Sequence, residues 1–196
     1  MSSKNLKTRN HILKTTWKLL ESGAGNRVRM TDIATASSLS RQAIYLHFPT
    51  RSELLIATTR FIDDTHNVDD RLYKSRHSSS GVERLNNFID AWGNYIPEIY
   101  GMAKAFWAMM ETDAAAAAAW NGRMQAVRHG CDAAVKALKA DGVLSPDYSM
   151  KQAADILWAL LSVENWEKFR YDCKWSQQKY IKTVQSIAFK TLVIEA

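Results

Sequence analysis

The chain has 196 residues, 46% of them hydrophobic, which is enough apolar material for one good-sized domain or two small ones sharing a boundary. No run approaches the ~18 apolar residues of a membrane span. The polar, basic start from Met1 to Asn10 also lacks the apolar stretch of a signal peptide, so the expectation is a soluble, cytoplasmic protein with no membrane partner. The formal charge is +6 and nearly all of the excess lies early: residues 1–60 hold ten Lys and Arg against three acids, while the remainder is close to neutral. That asymmetry suits a polyanion met by the amino-terminal part, or a merely solvated basic surface, with a neutral body that has another task.

Apolar residues recur at helical spacing along most of the chain, and no segment alternates with period two for long, which predicts an all-α protein of about nine helices. The first helix carries Ile12, Leu13, Trp17 and Leu20, and Gly23 and Gly25 close it. Thr31 can cap a short helix, Thr31 to Ala36, whose Ile33 and Ala34 face a neighbour. Ser37, Ser38 and Leu39 make a tight turn, Ser40 is a second cap, and Arg41 to Phe48 form a second short helix. Pro49 breaks the chain, and a long helix starting near Thr50 ends at the polar loop Ser78 to Gly81. Pro97 interrupts or starts a helix. Ala114 to Ala119 read as a helix that packs closely or lies partly exposed. Asp141 to Ser149, with Gly142 and Pro146, is a connection before the last helices, marked by Ile156, Leu157, Leu160 and Leu161 and then by Ile181, Val184, Ile187, Ala188 and Leu192. The division expected is a first domain over 1–50, a linking helix over 51–80, and a body over 81–196. Cys131 and Cys173 form no Cys-x-x-Cys pair and are too few for a secreted framework, so they read as reduced thiols.

Two short helices joined by three or four residues, over roughly residues 30–48, match a helix-turn-helix. The residue types follow from that layout. Small Ala34 lets the helices cross closely, Leu39 and Ile44 pin the second helix, and the opposite face stays polar for a major groove. Arg41 and Gln42 fall at the start of the second helix, where Arg can pair with guanine O6 and N7 and Gln with adenine N6 and N7. Ala43 could touch a thymine methyl. Thr31, Tyr45, His47 and Arg51 carry groups that hold phosphate and would position the helix without reading sequence.

The stretch Thr31 to Leu55 resembles the tetracycline-repressor (TetR) family of bacterial regulators. The matches are Ile33-Ala34, Ser40, Tyr45-Leu46-His47-Phe48, Arg51 and Leu54, with Tyr-x-His-Phe the specific part. Thr31 stands one position closer to Ile33 than in the family pattern, Ser37 and Ser38 replace a common Ala-Gly, and Arg51 replaces a usual lysine. The resemblance covers about the first 60 residues and extends weakly beyond them. It implies a three-helix DNA-binding domain, a helical body that binds a small effector and dimerises through its last two long helices, and a palindromic operator in double-stranded DNA. Repression relieved by the effector is the family's habit.

The body offers residues for both tasks. Trp92, Tyr95, Tyr100, Trp107, Met110, Trp120, Met124 and Trp158 are candidates to line a pocket for an apolar or aromatic effector, although an ordinary helical core would use the same types. Ala154, Trp158, Leu161, Ile181, Val184 and Ala188 are candidates for a two-fold, four-helix interface that makes a homodimer.

No His-Glu-x-x-His, Gly-x-Ser-x-Gly or Gly-x-x-x-x-Gly-Lys motif occurs, so neither an enzyme nor a cofactor is expected. Asp63, His66 and Asp70 would share one face of a continuous helix and could make a metal-responsive regulator, or simply a solvated helix end. A helical protein-interaction module without DNA binding is the remaining alternative.

Overall fold

A computed structural model of the chain describes residues 3–22 and 28–194. Gly23 and Gly25, expected to close the first helix, lie outside the described residues. Among the described residues there are ten α-helices, one π-helical turn and no strand; a lone antiparallel bridge joins Leu144 to Val193. In chain order the helices are α1 (Ser3–Glu21), α2 (Met30–Ser37), α3 (Arg41–His47), α4 (Arg51–Thr65), α5 (Val68–Arg76), α6 (Gly81–Met110), α7 (Ala114–Ala140), α8 (Met150–Leu160), α9 (Val163–Glu167) and α10 (Gln177–Leu192), with the π turn over Lys168–Asp172. No described helix is long and apolar enough to cross a membrane.

The helix expected to run unbroken from Thr50 to the serine loop is two helices. Thr50 does cap its start, accepting the Glu53 backbone N–H at 3.1 Å. At the other end Asn67 takes a left-handed φ of 52°, the conformation that asparagine tolerates best after glycine, and the chain turns there before α5 begins. Helical periodicity could not reveal the break, because no proline or glycine marks it.

The fold separates into two compact units, Met1–Val68 with Tyr100–Met124, and Asp69–Ile99 with Gln125–Ala196. In the first, α1 to α4 surround a core of Ile12, Leu13, Leu20, Ile33, Ile44, Phe48, Leu54, Leu55 and Ile62, all buried. Each such side chain contributes about 1.5 to 3 kcal/mol of burial. The same unit holds the buried Met102, Phe106, Met109, Ala116, Ala119 and Trp120. Asp113 caps α7, its Oδ1 accepting from Ala115 N at 3.1 Å and Ala116 N at 3.3 Å. Within the alanine run, Ala116 and Ala119 are buried while Ala114 and Ala118 are exposed, so both halves of the expectation hold there.

In the second unit, α6 crosses α7 at very short range: a Cβ on Gly81 would stand 2.5 Å from Leu138 N, so only glycine fits. Pro97 neither starts nor interrupts α6 but lies inside it. Proline lacks the N–H that would bond the carbonyl four residues back, here that of Gly93. The Gln177 amide supplies the missing donor, giving Nε2 to Gly93 O at 2.7 Å, while its Oε1 accepts from the Trp166 indole at 2.9 Å. The stretch around Ala154 to Trp166, read as one helix, is broken at Leu161, where Ser162 caps α9. The Leu161 carbonyl accepts the Trp92 indole N–H at 2.7 Å, which anchors α6 to this break.

Candidate nucleic-acid interface

The turn between α2 and α3 is built from three local choices. Ser38 adopts φ 55° and ψ 35°, the left-handed position at which a glycine is commonest, and its N–H bonds back to Thr35 O at 3.1 Å. Ser37 Oγ donates to Ile33 O at 2.6 Å, which satisfies a buried hydroxyl. Ser40 then caps α3, accepting the Ala43 N–H at 3.1 Å. Thus serine holds a geometry that costs an L residue roughly 1 kcal/mol.

Two residues of α1 lock this unit, and sequence reading missed both. Arg9 donates from Nη1 to the His47 carbonyl at 2.8 Å, with its guanidinium 4.1 Å from the Phe48 ring centroid. The His11 ring nitrogen donates to the Ser37 carbonyl at 3.0 Å. The C-terminal ends of α2 and of α3 are therefore both tied to α1. Neither contact has a signal in spacing, since 38 and 26 residues separate the partners.

With α3 pinned by the buried Ile44, helical spacing leaves Arg41, Gln42, Tyr45 and Leu46 exposed. Ala43 and His47 are half-buried. Leu46 is 81% exposed, a large apolar side chain on a face expected to be polar, and it was not among the expected contacts. Its signal was available: it follows Gln42 by four residues. Exposed Lys4, Lys7, Lys14 and Lys18 on α1 add the positive charge that the composition announced without locating.

Thr31 is not the cap of α2. The helix starts at Met30, and Asp32 closes its first turn by accepting the Arg29 backbone N–H at 2.8 Å, leaving Thr31 exposed at the second helical position. Arg51 is the larger correction. Its Nη1 pairs with Asp113 Oδ2 at 2.5 Å, its Nε donates to Val28 O at 2.8 Å, and its side chain is only 15% exposed. A guanidinium committed to a buried carboxylate and a carbonyl is not presented to a phosphate.

The metal-responsive alternative loses its geometry. The turn at Asn67 separates Asp70 from the helix of Asp63 and His66, Asp63 Oδ1 accepts from Arg123 Nη2 at 2.5 Å, and the His66 ring meets Trp17 edge-on with centroids 5.5 Å apart. Among the described residues no group of three or more His, Cys, Asp or Glu could hold a metal ion.

The expected effector residues are divided between the units. Tyr100, Trp107 and Trp120 form a run of edge-on aromatic contacts in the first, with Met110 and Met124 in the same unit. Trp92, Tyr95 and Trp158 belong to the second, where Trp92 and Tyr95 are 6% and 2% exposed and pack edge-on. The Trp158 ring lies 5.8 Å from the Arg128 guanidinium. A cleft in the second unit has other walls, including Arg76, Arg84, Phe88 and His129, and none of the eight expected residues. Of the expected dimer residues, Ala154, Leu161, Ile181, Val184 and Ala188 are buried within one chain and Trp158 is half-buried. The strongest apolar stripe of a helix goes to its own core first. What α8 and α10 expose is more mixed, including Ala159, Ile187, Lys182 and Ser186, with Ile156, Leu160 and Thr183 half-buried.

Residues 12–58 match the family model described as bacterial regulatory proteins, tetR family. No curated protein matches the sequence. Solved structures do match the fold over nearly the whole chain. A protein from Saccharomonospora viridis, crystallised with choline, is 18% identical, with 96% of this chain and 99% of that chain covered and a TM-score of 0.72. A TetR-family protein from Rhodococcus sp. is 19% identical, with 94% and 98% covered and a TM-score of 0.72. NalD of Pseudomonas aeruginosa, the secondary repressor of the MexAB-OprM multidrug efflux pump, is 18% identical, with 98% and 99% covered and a TM-score of 0.70.

Proposed function

We propose that this chain is a TetR-family transcriptional regulator with a DNA-binding amino-terminal domain, a repressor that binds a palindromic operator as a homodimer and is released by a small molecule; its residues 12–58 match the tetR family model. The observation that carries the reading is the exposed face of α3, where Arg41 and Gln42 stand in the first turn of a helix whose C-terminal end, like that of α2 before it, is bonded to α1. Arg41 reads guanine and Gln42 reads adenine from the major groove, and the Leu46 and Ala43 methyl groups meet thymine methyls. Tyr45, His47 and Thr31, with the lysines of α1, hold phosphates. One seven-residue helix reads too few base pairs for specificity, which favours two copies on half-sites about 34 Å apart or a multiple of that. NalD, of the same fold, is a repressor, and the Saccharomonospora protein was crystallised with choline; both support a repressor that senses a small molecule.

Electrophoretic mobility shift with genomic fragments tests the reading. The wild-type chain retains a small subset of fragments, with affinity that falls steeply with salt. Arg41→Ala and Gln42→Ala each weaken the selected fragment by about 1 to 3 kcal/mol and relax preference at one base pair per half-site. Retention that ignores both substitutions, or that does not distinguish fragments, overturns the assignment.

A further inference from the structure

Besides its core, the second unit holds a cleft of about 230 Å³. Three helices wall it: α5 gives Leu72 and Arg76, α6 gives Arg84 and Phe88, and α7 gives His129 and Gly130. The chemistry is two-sided. Arg76 and Arg84 bring positive charge and, with His129, N–H donors, and the lining contains no acid. Arg84 forms no ion pair among the described residues, and Arg76 pairs only with the exposed Asp69 of its own helix, at 2.9 Å, a contact weak enough to exchange. With two arginines and no acid among its walls the cleft favours an anion, and planar guanidinium donors suit a carboxylate. The other side is apolar: Leu72, two alanines, and the Phe88 ring, which lies directly on α7 because residue 130 is glycine. A Cβ there would come within 2.3 Å of Phe88 Cε2.

We propose that this cleft binds a small carboxylate with a flat apolar body, of the size of a single-ring aromatic acid, its carboxylate between Arg76 and Arg84 and its ring on Phe88. The volume is below the ~300 to 1,000 Å³ of drug-sized sites, which limits the ligand to that size. The site deepens the reading of the chain as a ligand-released repressor and rests on it for its regulatory meaning, while binding itself can be measured without DNA.

Titration calorimetry on the full chain provides the test, with benzoate as probe, benzyl alcohol as its neutral counterpart and inorganic phosphate as an anion without a ring. Benzoate binds saturably, at about 1 mM or tighter, and the other two bind at least roughly tenfold more weakly. Arg84→Met weakens benzoate roughly tenfold or more and Arg84→Lys weakens it less. Gly130→Ala, which forces the Phe88 ring off α7 and into the cleft, also abolishes binding, with far-ultraviolet circular dichroism reporting that the variants remain helical. Equal binding of benzoate and benzyl alcohol, equal binding of phosphate, or benzoate binding that survives both Arg84→Met and Gly130→Ala overturns the site. If benzoate binds as described yet leaves operator retention unchanged, the cleft stands and release through it falls. If benzoate does not bind while operator retention is specific, the cleft falls and the DNA-binding reading stands.

Discussion

Arg51 illustrates how one contact decides between two roles for a basic residue. It opens α4, a position where a guanidinium could meet a phosphate, yet it is turned onto the 3% exposed Asp113 carboxylate and the Val28 carbonyl. Breaking a buried pair by removing one partner costs about 3 to 5 kcal/mol, because the other charge is left uncompensated. Removing a phosphate contact instead lowers the salt slope of DNA binding by about 1. Arg51→Met is therefore expected to lower the urea midpoint markedly and, at temperatures where the variant is folded, to leave the salt slope as in the wild type. A flattened slope with unchanged stability would restore the phosphate role. Cys131 gives a second residue-level expectation. Burial pushes its thiol up to about 12, so it stays protonated, whereas Cys173 is exposed. Since only the thiolate attacks, iodoacetamide at about pH 8 should modify one cysteine per folded chain and both in denaturant. Rapid modification of both in the folded chain would contradict the packing around Cys131.

Among the elements, α6 is the one whose continuity needs explanation. Its proline leaves the Gly93 carbonyl without its helical donor, and Gln177, at the start of α10, restores a bond there while accepting from Trp166. Gln177→Leu keeps much of the volume but orphans a carbonyl and an indole N–H, each worth about 1 to 3 kcal/mol when buried. The expected result is a loss of about 2 kcal/mol or more in urea unfolding, and Gln177→Glu, which keeps only the acceptor, should lose part of it. A neutral Gln177→Leu would mean that α6 tolerates the proline unaided. The same case shows what could be read from the chain alone. The cap at Ser40, the helix start near Thr50, the core positions Ile33 and Ile44, and the turn at Ser37 to Leu39 were legible because each is a local signal of a few residues. The contacts of Gln177 with Gly93, Arg9 with His47 and Arg51 with Asp113 were not, because their partners lie 84, 38 and 62 positions away and the residue types alone admit many partners.

At the scale of the whole molecule the proposed homodimer needs a face on which two copies can meet. Sequence periodicity locates the apolar stripe of a helix, and on α8 and α10 that stripe is consumed within one chain, where Ala154, Leu157, Val184 and Ala188 are at most 1% exposed. Where a helix carries a core stripe and a weaker, mixed one, period alone picks out the first. If the copies meet through these helices, the contact falls on that second stripe, with Ala159 on α8 and Ile187 on α10, the latter 37% exposed in the single chain. A charge at the centre of such an interface would be desolvated without a partner on either copy, at a cost of several kcal/mol, whereas in the single chain it would sit in solvent. Ile187→Glu is thus expected to leave urea stability of the protomer nearly unchanged and to shift light scattering from dimer to monomer. Operator retention should fall with it, since each half-site would then be bound alone. Val184→Glu, in the protomer core, should instead prevent folding. A dimer that survives Ile187→Glu and Ala159→Glu would move the two-fold contact to another face.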